Sequence, residues 1–231
     1  MASANLLRLA SAPDLVERVH AALSEAIASG ALAPGERIRQ EDIAEKLAVS
    51  RQPVLQALRL LKKDGLVQDA PGRGVVVAPL EPAWLAHLYE VRGALDALAA
   101  RLAAERHAVL DPVLLEHGRR AAAAGDIRAM IDADLAFHRA IYEASGNPFI
   151  ARSAEPLWLQ LSRAMGAVLR HAAQRDALWA EHERIARAIA KGDGERAAHL
   201  IDDHGKKASA NLLARLPSIL QQHPRRGDTA A

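Results

Sequence analysis

The chain contains no cysteine, which excludes disulfides and thiolate metal sites and leaves His, Asp and Glu as available ligands. Aromatic residues make up only 3% of the 231 residues, whereas half are apolar, mostly Ala and Leu. That mix disfavours a β-sandwich or barrel and favours close-packed helices. No apolar run approaches the ~20 residues of a membrane span. The N-terminal stretch MASANLLRLASAPD has one Arg and no long apolar segment of the signal-peptide kind. A soluble, cytoplasmic protein with no membrane partner is expected. Charge of neither sign dominates: a net +2 is too small to argue for nucleic acid, so any such argument must come from local clustering. The length suits one or two domains with a sizeable core.

Enzymatic signatures are also missing. There is no nucleophile elbow, phosphate loop or dinucleotide fingerprint. A di-iron helical bundle would need two Glu-x-x-His motifs, and the single instance, Glu17 to His20, lies near the N-terminus. The chain is expected not to be an enzyme.

What is present is a cluster of basic residues on one short helix. From Lys46 to Lys63 there are five Lys/Arg and no Asp or Glu. Ser50 is a good N-cap, because its hydroxyl can accept from the free N–H groups of the first turn. Pro53 falls where its missing N–H costs nothing, and Gly65 ends the helix at a C′ position. Val54, Ala57, Leu58 and Leu61 follow the helical period and form a buried face. Arg51, Gln52, Leu55, Gln56 and Arg59 form the other. Taken alone, this helix suits major-groove reading and a solvated surface equally well.

Its neighbours shift the balance. A helix repeating Leu15, Val19, Leu23 and Ile27 is opened by a capping box at Ser11-Ala12-Pro13-Asp14 and closed by Gly30. A short helix from Gln40 to Leu47 then leads through Ala48-Val49-Ser50 into the basic helix, a helix-turn-helix unit. Leu66-Val67-Gln68 and Val75-Val76-Val77 read as a hairpin whose tip carries Arg73 between Gly72 and Gly74. Three helices and a basic-tipped hairpin make a winged helix-turn-helix, with a small cap on the next domain as the alternative. Pro79-Leu80-Glu81-Pro82 is a stiff, extended linker. Helices follow near Ala83–His107, Pro112–Ala124, Ile127–Ala144, Pro148–Ala173, Asp176–Ala190 and Gly194–Leu216. The fold expected is mainly α: a winged helix-turn-helix over 1–78, an all-α bundle of six to seven helices over 79–222, and a disordered tail over 223–231.

At this point the sequence resembles the GntR family of bacterial transcription regulators, in its FadR-type subfamily with an FCD effector domain. The N-terminal resemblance rests on the runs from Gly30 to Ile38 and from Ile43 to Val54, with Leu58, Gly65-Leu66-Val67 and Pro71-Gly72-Arg73-Gly74. The C-terminal resemblance rests on Val91 to Asp96, Asp134 to His138, Ser145 to Phe149, Glu181-His182, Ile185, Ala188-Ile189, and Gly192-Asp193 running on to His204. It covers nearly the whole chain, from about Asp14 to Leu216.

The resemblance implies a homodimer on double-stranded operator DNA, with a small-molecule effector, often an organic acid, bound in the bundle; a ligand-responsive repressor is the function expected. In matching positions Arg51 contacts the operator from the start of the recognition helix and Arg73 enters the groove beside it, next to Gly74. Gln40, Ser50, Gln52, Gln56 and Arg59 are further contacts, some to phosphate. One departure stands out. The family pattern has Arg then Glu after the Pro-Val of this helix, where this chain has Leu55 and Gln56. That removes a charge-assisted contact, about 1–3 kcal/mol of base discrimination where such a pair is bidentate, and offers an apolar contact for a thymine methyl.

Asp134 and His138 are four residues apart on one helix and point the same way; His182 and His204 lie on later helices. Such a set suits Zn²⁺ or another borderline divalent ion, Ni²⁺ or Mn²⁺ included, with one or two positions left for water or a ligand carboxylate. Spacing alone favours an ordinary surface Asp–His hydrogen bond; the resemblance matches all four positions to metal ligands of FCD domains. Arg92 matches a family position near the cavity, where its guanidinium would take an effector carboxylate in a fork; an interhelical salt bridge is the alternative. The remaining histidines, His20, His87, His107, His117, His171, His199 and His223, read as surface or packing residues. A metal sensor, in which the ion itself is the signal, remains the competing function.

Overall fold

A computed structural model describes residues 15–169 and 176–222. The expected capping box at Ser11–Asp14, the end of the fourth bundle helix with His171, and the tail from His223 lie outside the described residues.

The N-terminal unit is built on three short helices: α1 (Leu15–Ala28), α2 (Gln40–Lys46) and α3 (Arg51–Lys63). Val19, Leu23 and Ile27 of α1 meet Ile43 and Ala44 of α2 and Val54, Ala57, Leu58 and Leu61 of α3 in one buried cluster. The apolar period of each helix therefore faces the other two. Gly65, at φ +71°, ends α3. Its N–H donates to Lys62 O and that of Leu66 to Leu61 O, the two bonds of a Schellman motif. Ser50 has the extended backbone of an N-cap, but its side chain makes no capping bond. The expected hydroxyl cap is thus not formed; Ser50 is exposed, where water can take the first-turn N–H groups.

The hairpin is β2 (Val67–Asp69) with β3 (Val75–Val77), paired Val67 to Val77 and Asp69 to Val75. A third strand, β1 (Arg37–Ile38), pairs antiparallel with the other edge of β3, giving the order β1-β3-β2. Two residues are too few to show alternation, so the sequence carries no signal for β1.

The stiff linker expected at Pro79–Pro82 packs against the bundle. Leu80 is only 3% exposed and belongs to the bundle core, and Pro82 is already in the first turn of the next helix. That helix, α4 (Pro82–Glu105), is followed by α5 (Pro112–Ala124), α6 (Ile127–Ala144), α7 (Pro148–Leu169), α8 (Asp176–Ala190) and α9 (Gly194–Gln222). Most bounds follow the sequence breaks, because Asp111, Asp126 and Asp193 each accept a first-turn N–H. α4 stops short of His107, which has φ +49°, and α9 runs through Pro217 beyond Leu216. Ala99, Ala100, Ala103 and Ala104 of α4 are wholly buried, small side chains that let neighbouring helices approach closely. No helix among the described residues is long and apolar enough to cross a membrane.

Candidate DNA-reading face and metal centre

Two groups of residues carry chemistry, one at each end of the chain. On α3, Arg51, Gln52, Gln56 and Arg59 are exposed, and so are Ser50 before it and Arg73 and Gly74 at the hairpin tip. Arg51 rests against Glu41 of α2 at 3.2 Å with both side chains open to solvent, a pair weak enough to exchange for another anion. Leu55 lies between Arg51 and Arg59 on the helical wheel and is half-buried, as is Gln40 at the start of α2. At the tip, Gly72 and Gly74 take φ +85° and +103°, a conformation that glycine adopts without strain. Arg37 of β1 donates to the backbone carbonyl of Arg73. This exposed cation beside the tip escaped the sequence reading because β1 did.

The second group lies inside the bundle. Asp134 and His138 project from α6, His182 from α8 and His204 from α9, and one ligand atom from each lies within 4.8 Å of the other three. All four residues are buried, at 3% exposure or less. His182 Nε2 is 3.2 Å from Asp134 Oδ1 and 3.2 Å from His204 Nε2. Asp134 Oδ1 and His182 Nδ1 have no hydrogen-bond partner, and His138 Nδ1 faces Asp96 Oδ2 at 3.5 Å. Buried polar atoms left unmatched are costly in a packed helical core. Three imidazoles and a carboxylate gathered at one point, with Asp134 Oδ1 left unpartnered there, fit a divalent ion of the zinc class.

The surroundings set the protonation of this cluster. His204 Nδ1 donates to Glu181 Oε2 at 3.0 Å, and Lys207 Nζ donates to Oε1 at 2.7 Å. The bond from His204 is the main cause that holds Glu181 down to about 2. Burial pushes the pKa of His138 down, and that of His182 well below 6.5, aided in the latter by the neighbouring His204. Both imidazoles are thereby kept neutral, as metal ligation requires. Five of the chain's seven aromatic residues gather here. Phe137 stacks on His182 at 4.2 Å and Trp179 meets it edge-on at 4.8 Å. Trp158 and Tyr142 flank His138, and Tyr89 flanks Arg92.

Arg92 is buried beside the cluster. It donates from Nε to Asp96 Oδ2 at 2.9 Å and from Nη2 to His138 Nε2 at 3.0 Å, and it lies 4.2 Å above the Trp158 ring. Its ion pair is within α4, one turn along, rather than between helices as the sequence alternative held. Burial is the largest single influence on Asp96 and opposes its charge, but Arg92, His138 and the Tyr142 hydroxyl together outweigh it and hold the carboxyl well below the usual range. Tyr142 completes the network by donating to Asp96 Oδ1 at 2.5 Å. Asp96, Tyr142, Trp158 and Glu181 were not singled out from sequence as site residues. The Arg92–Asp96 spacing of four and the scarcity of aromatics were the available signals.

Among the other histidines, His20 pairs with Asp64 at 2.7 Å and the exposed His199 with Asp203 at 3.2 Å. Neither joins the cluster.

Comparison with known proteins agrees with both halves. Residues 15–77 match the model of the bacterial regulatory proteins of the gntR family, and residues 87–207 match the FCD domain. A Paenarthrobacter nicotinovorans protein, "Probable D-xylose utilization operon transcriptional repressor", is 30% identical over 77% of this chain and 80% of its own. The Bacillus subtilis regulator LutR is 31% identical over 74% of this chain and 89% of its own. The solved structure of Escherichia coli McbR/YncC superposes with a TM-score of 0.72 at 25% identity, over 92% of this chain and all of that one. These relatives are transcription regulators rather than enzymes. The chain therefore belongs to the GntR family of DNA-binding transcription regulators, as a member with a C-terminal FCD domain.

Proposed function

We propose that this regulator is a FadR-type homodimeric repressor whose bundle holds a divalent metal ion and, beside it, a small organic acid that alters operator affinity. The observation that carries this reading is the buried convergence of Asp134, His138, His182 and His204, with Asp134 Oδ1 unpartnered, next to the guanidinium of Arg92. The ion, Zn²⁺ by its donor set with Ni²⁺ or Mn²⁺ as alternatives, would act as a Lewis acid toward an effector carboxylate. Arg92 supplies a second, planar anchor for the same carboxylate.

Operator contacts are assigned to Gln40, Ser50, Arg51, Gln52, Leu55, Gln56, Arg59, Arg73 and Gly74, with Arg37 added beside the wing. The reading divides the chain into a DNA-binding domain over 1–78, an effector domain over 79–222 and a tail over 223–231, in a protein that works in the cytoplasm. For the homodimer, support comes from Trp84, Val91 and Leu98. They are exposed, at 47%, 55% and 40%, and spaced seven apart along α4, an apolar stripe suited to a second copy. Repression is supported by the Paenarthrobacter relative, whose name describes a repressor.

The test is elemental analysis of purified protein combined with operator titration at fixed small-acid concentration, with and without chelator. One equivalent of metal and an acid response that chelator abolishes are expected. Metal-free protein that binds its operator and responds to acids unchanged would overturn the metal assignment. An operator affinity that follows the ion alone, with no acid effect, would make the protein a metal sensor.

A further inference from the structure

Helix α7 is a wall shared by both units. Its Trp158 and Leu161 belong to the bundle core, whereas Leu159, between them, packs against the core of the N-terminal unit. The next polar residues on α7 reach across. Gln160 Nε2 donates to the carbonyl of Asp64, the C-cap residue of α3. Arg163 donates from Nη2 to the carbonyl of Ala78, directly after β3, and from Nη1 to Gln160 Oε1 at 2.8 Å. One connected pair of side chains thus holds the end of the recognition helix and the end of the wing. Asp64 is steadied from its other side by His20 of α1.

The chemistry of this contact is unusual for a purely structural one. Gln160 and Arg163 are 4% and 5% exposed. Arg163 has no carboxylate partner among the described residues, and its Nε has no hydrogen bond. Burial lowers its pKa to about 10. A buried cation facing only carbonyls costs stability, and an apolar side chain of similar volume there is commonly neutral or stabilising. What the pair supplies is direction: fixed donors aimed at two carbonyls on two elements that meet DNA. Two residues before Gln160, Trp158 lies under Arg92 and donates to Tyr142 at 3.0 Å.

We propose that Gln160 and Arg163 are positioning residues for operator binding, a clamp that fixes the DNA-reading face against the bundle and relays to it movements of α7 at Trp158. The clamp stands on the interdomain hydrogen bonds alone; the relay rests on the proposed metal site. With the clamp intact, α3 and the wing keep one orientation, as half-sites at fixed spacing require. Without it, the unit keeps its own core and shifts on α7, about the chain ahead of Leu80, which stays anchored in the bundle core. Two arrangements of one packed helix are then enough to couple the sites.

The absence of native cysteine allows a direct test on the full chain. Spin labels are placed at Glu45→Cys on α2 and Arg120→Cys on α5, both exposed, and diluted with unlabelled protein. Their separation is compared with and without Gln160→Leu plus Arg163→Met. The unaltered clamp is expected to give one narrow distance, and the double variant a broad distribution. With it, affinity for an operator selected from random duplexes should fall about tenfold or more, while binding to non-specific DNA and the melting temperature hold. Arg163→Lys, which retains a donor, should restore most of the narrow distance. A variant with the same narrow distance and the same operator affinity would overturn the proposal. Zinc titration separates the two readings: failure of the unaltered protein to bind zinc removes the relay, and the distance measurement decides the clamp regardless.

Discussion

His204 donates from Nδ1 to Oε2 of Glu181 across 3.0 Å, which turns its Nε2 lone pair inward, 3.2 Å from Nε2 of His182. Glu181 thus fixes the tautomer and ring orientation of a candidate ligand that it does not replace. Outer partners of this kind contribute about 10–100-fold to metal affinity. Glu181→Gln keeps the size of the side chain and loses its charge, so zinc affinity should drop by about that factor with helix content unchanged. Competition against a chromophoric chelator measures it, and an unchanged affinity would remove Glu181 from the site.

Stability should depend on pH through His138 and His182. Burial depresses both pKa values in the folded chain, that of His182 well below the ordinary 6.5. Below pH 6.5 the unfolded chain therefore binds more protons than the folded one. The contribution of the neutral imidazoles is complete above that pH and is lost as pH falls. Each such group adds a slope of up to about 1.4 kcal/mol per pH unit in that window. In chelator-treated protein the urea midpoint should fall from pH 7 to 5, and His182→Gln should flatten the slope. An equally steep fall in that variant would place the acid sensitivity elsewhere.

Base preference should turn on Leu55. It sits half-buried on the reading face between two exposed arginines, Arg51 and Arg59. Leu55→Arg adds a bidentate donor where the side chain now offers only apolar contact, a change of about 1–3 kcal/mol in discrimination at one base pair. Selection from random duplexes with both proteins should yield operators differing at one symmetric position. Identical operators would show that residue 55 does not meet a base.

Packing around the cluster should be intolerant of small additions. A Cβ at Gly118 of α5 would come within 2.0 Å of the Trp179 ring, a side chain fully buried and edge-on to His182. Gly118→Ala must therefore displace Trp179, at a cost of about 1–3 kcal/mol for overpacking, and should weaken zinc binding as well. A melting temperature and zinc affinity equal to those of the unaltered chain would contradict this.

The parts legible in sequence were those set by local physics. Capping aspartates, Gly65 and the apolar periods of α1 and α3 placed most element bounds within a residue or two, because each signal acts over one turn. Family spacing picked out Asp134, His138, His182 and His204, three helices' worth of ligand-type residues that periodicity alone could not bring together. What escaped depends on long-range contact. β1 exists only because β3 offers it an edge, Leu80 is buried only because the bundle is adjacent, and Gln160 and Arg163 look like surface residues until Asp64 and Ala78 are beside them. Ser50 shows the converse: a residue with the right local chemistry for a cap that the exposed site does not use.

The central claim is that α3 and the wing read a specific operator. Footprinting of the full chain on a selected duplex, alongside Arg51→Ala and Arg73→Ala, tests it most directly. Protection of two half-sites is predicted, with each variant losing about 10–100-fold in operator affinity while binding non-specific DNA nearly as before. Recovery of no specific duplex, or variants that bind the operator as tightly as the unaltered protein, would contradict it.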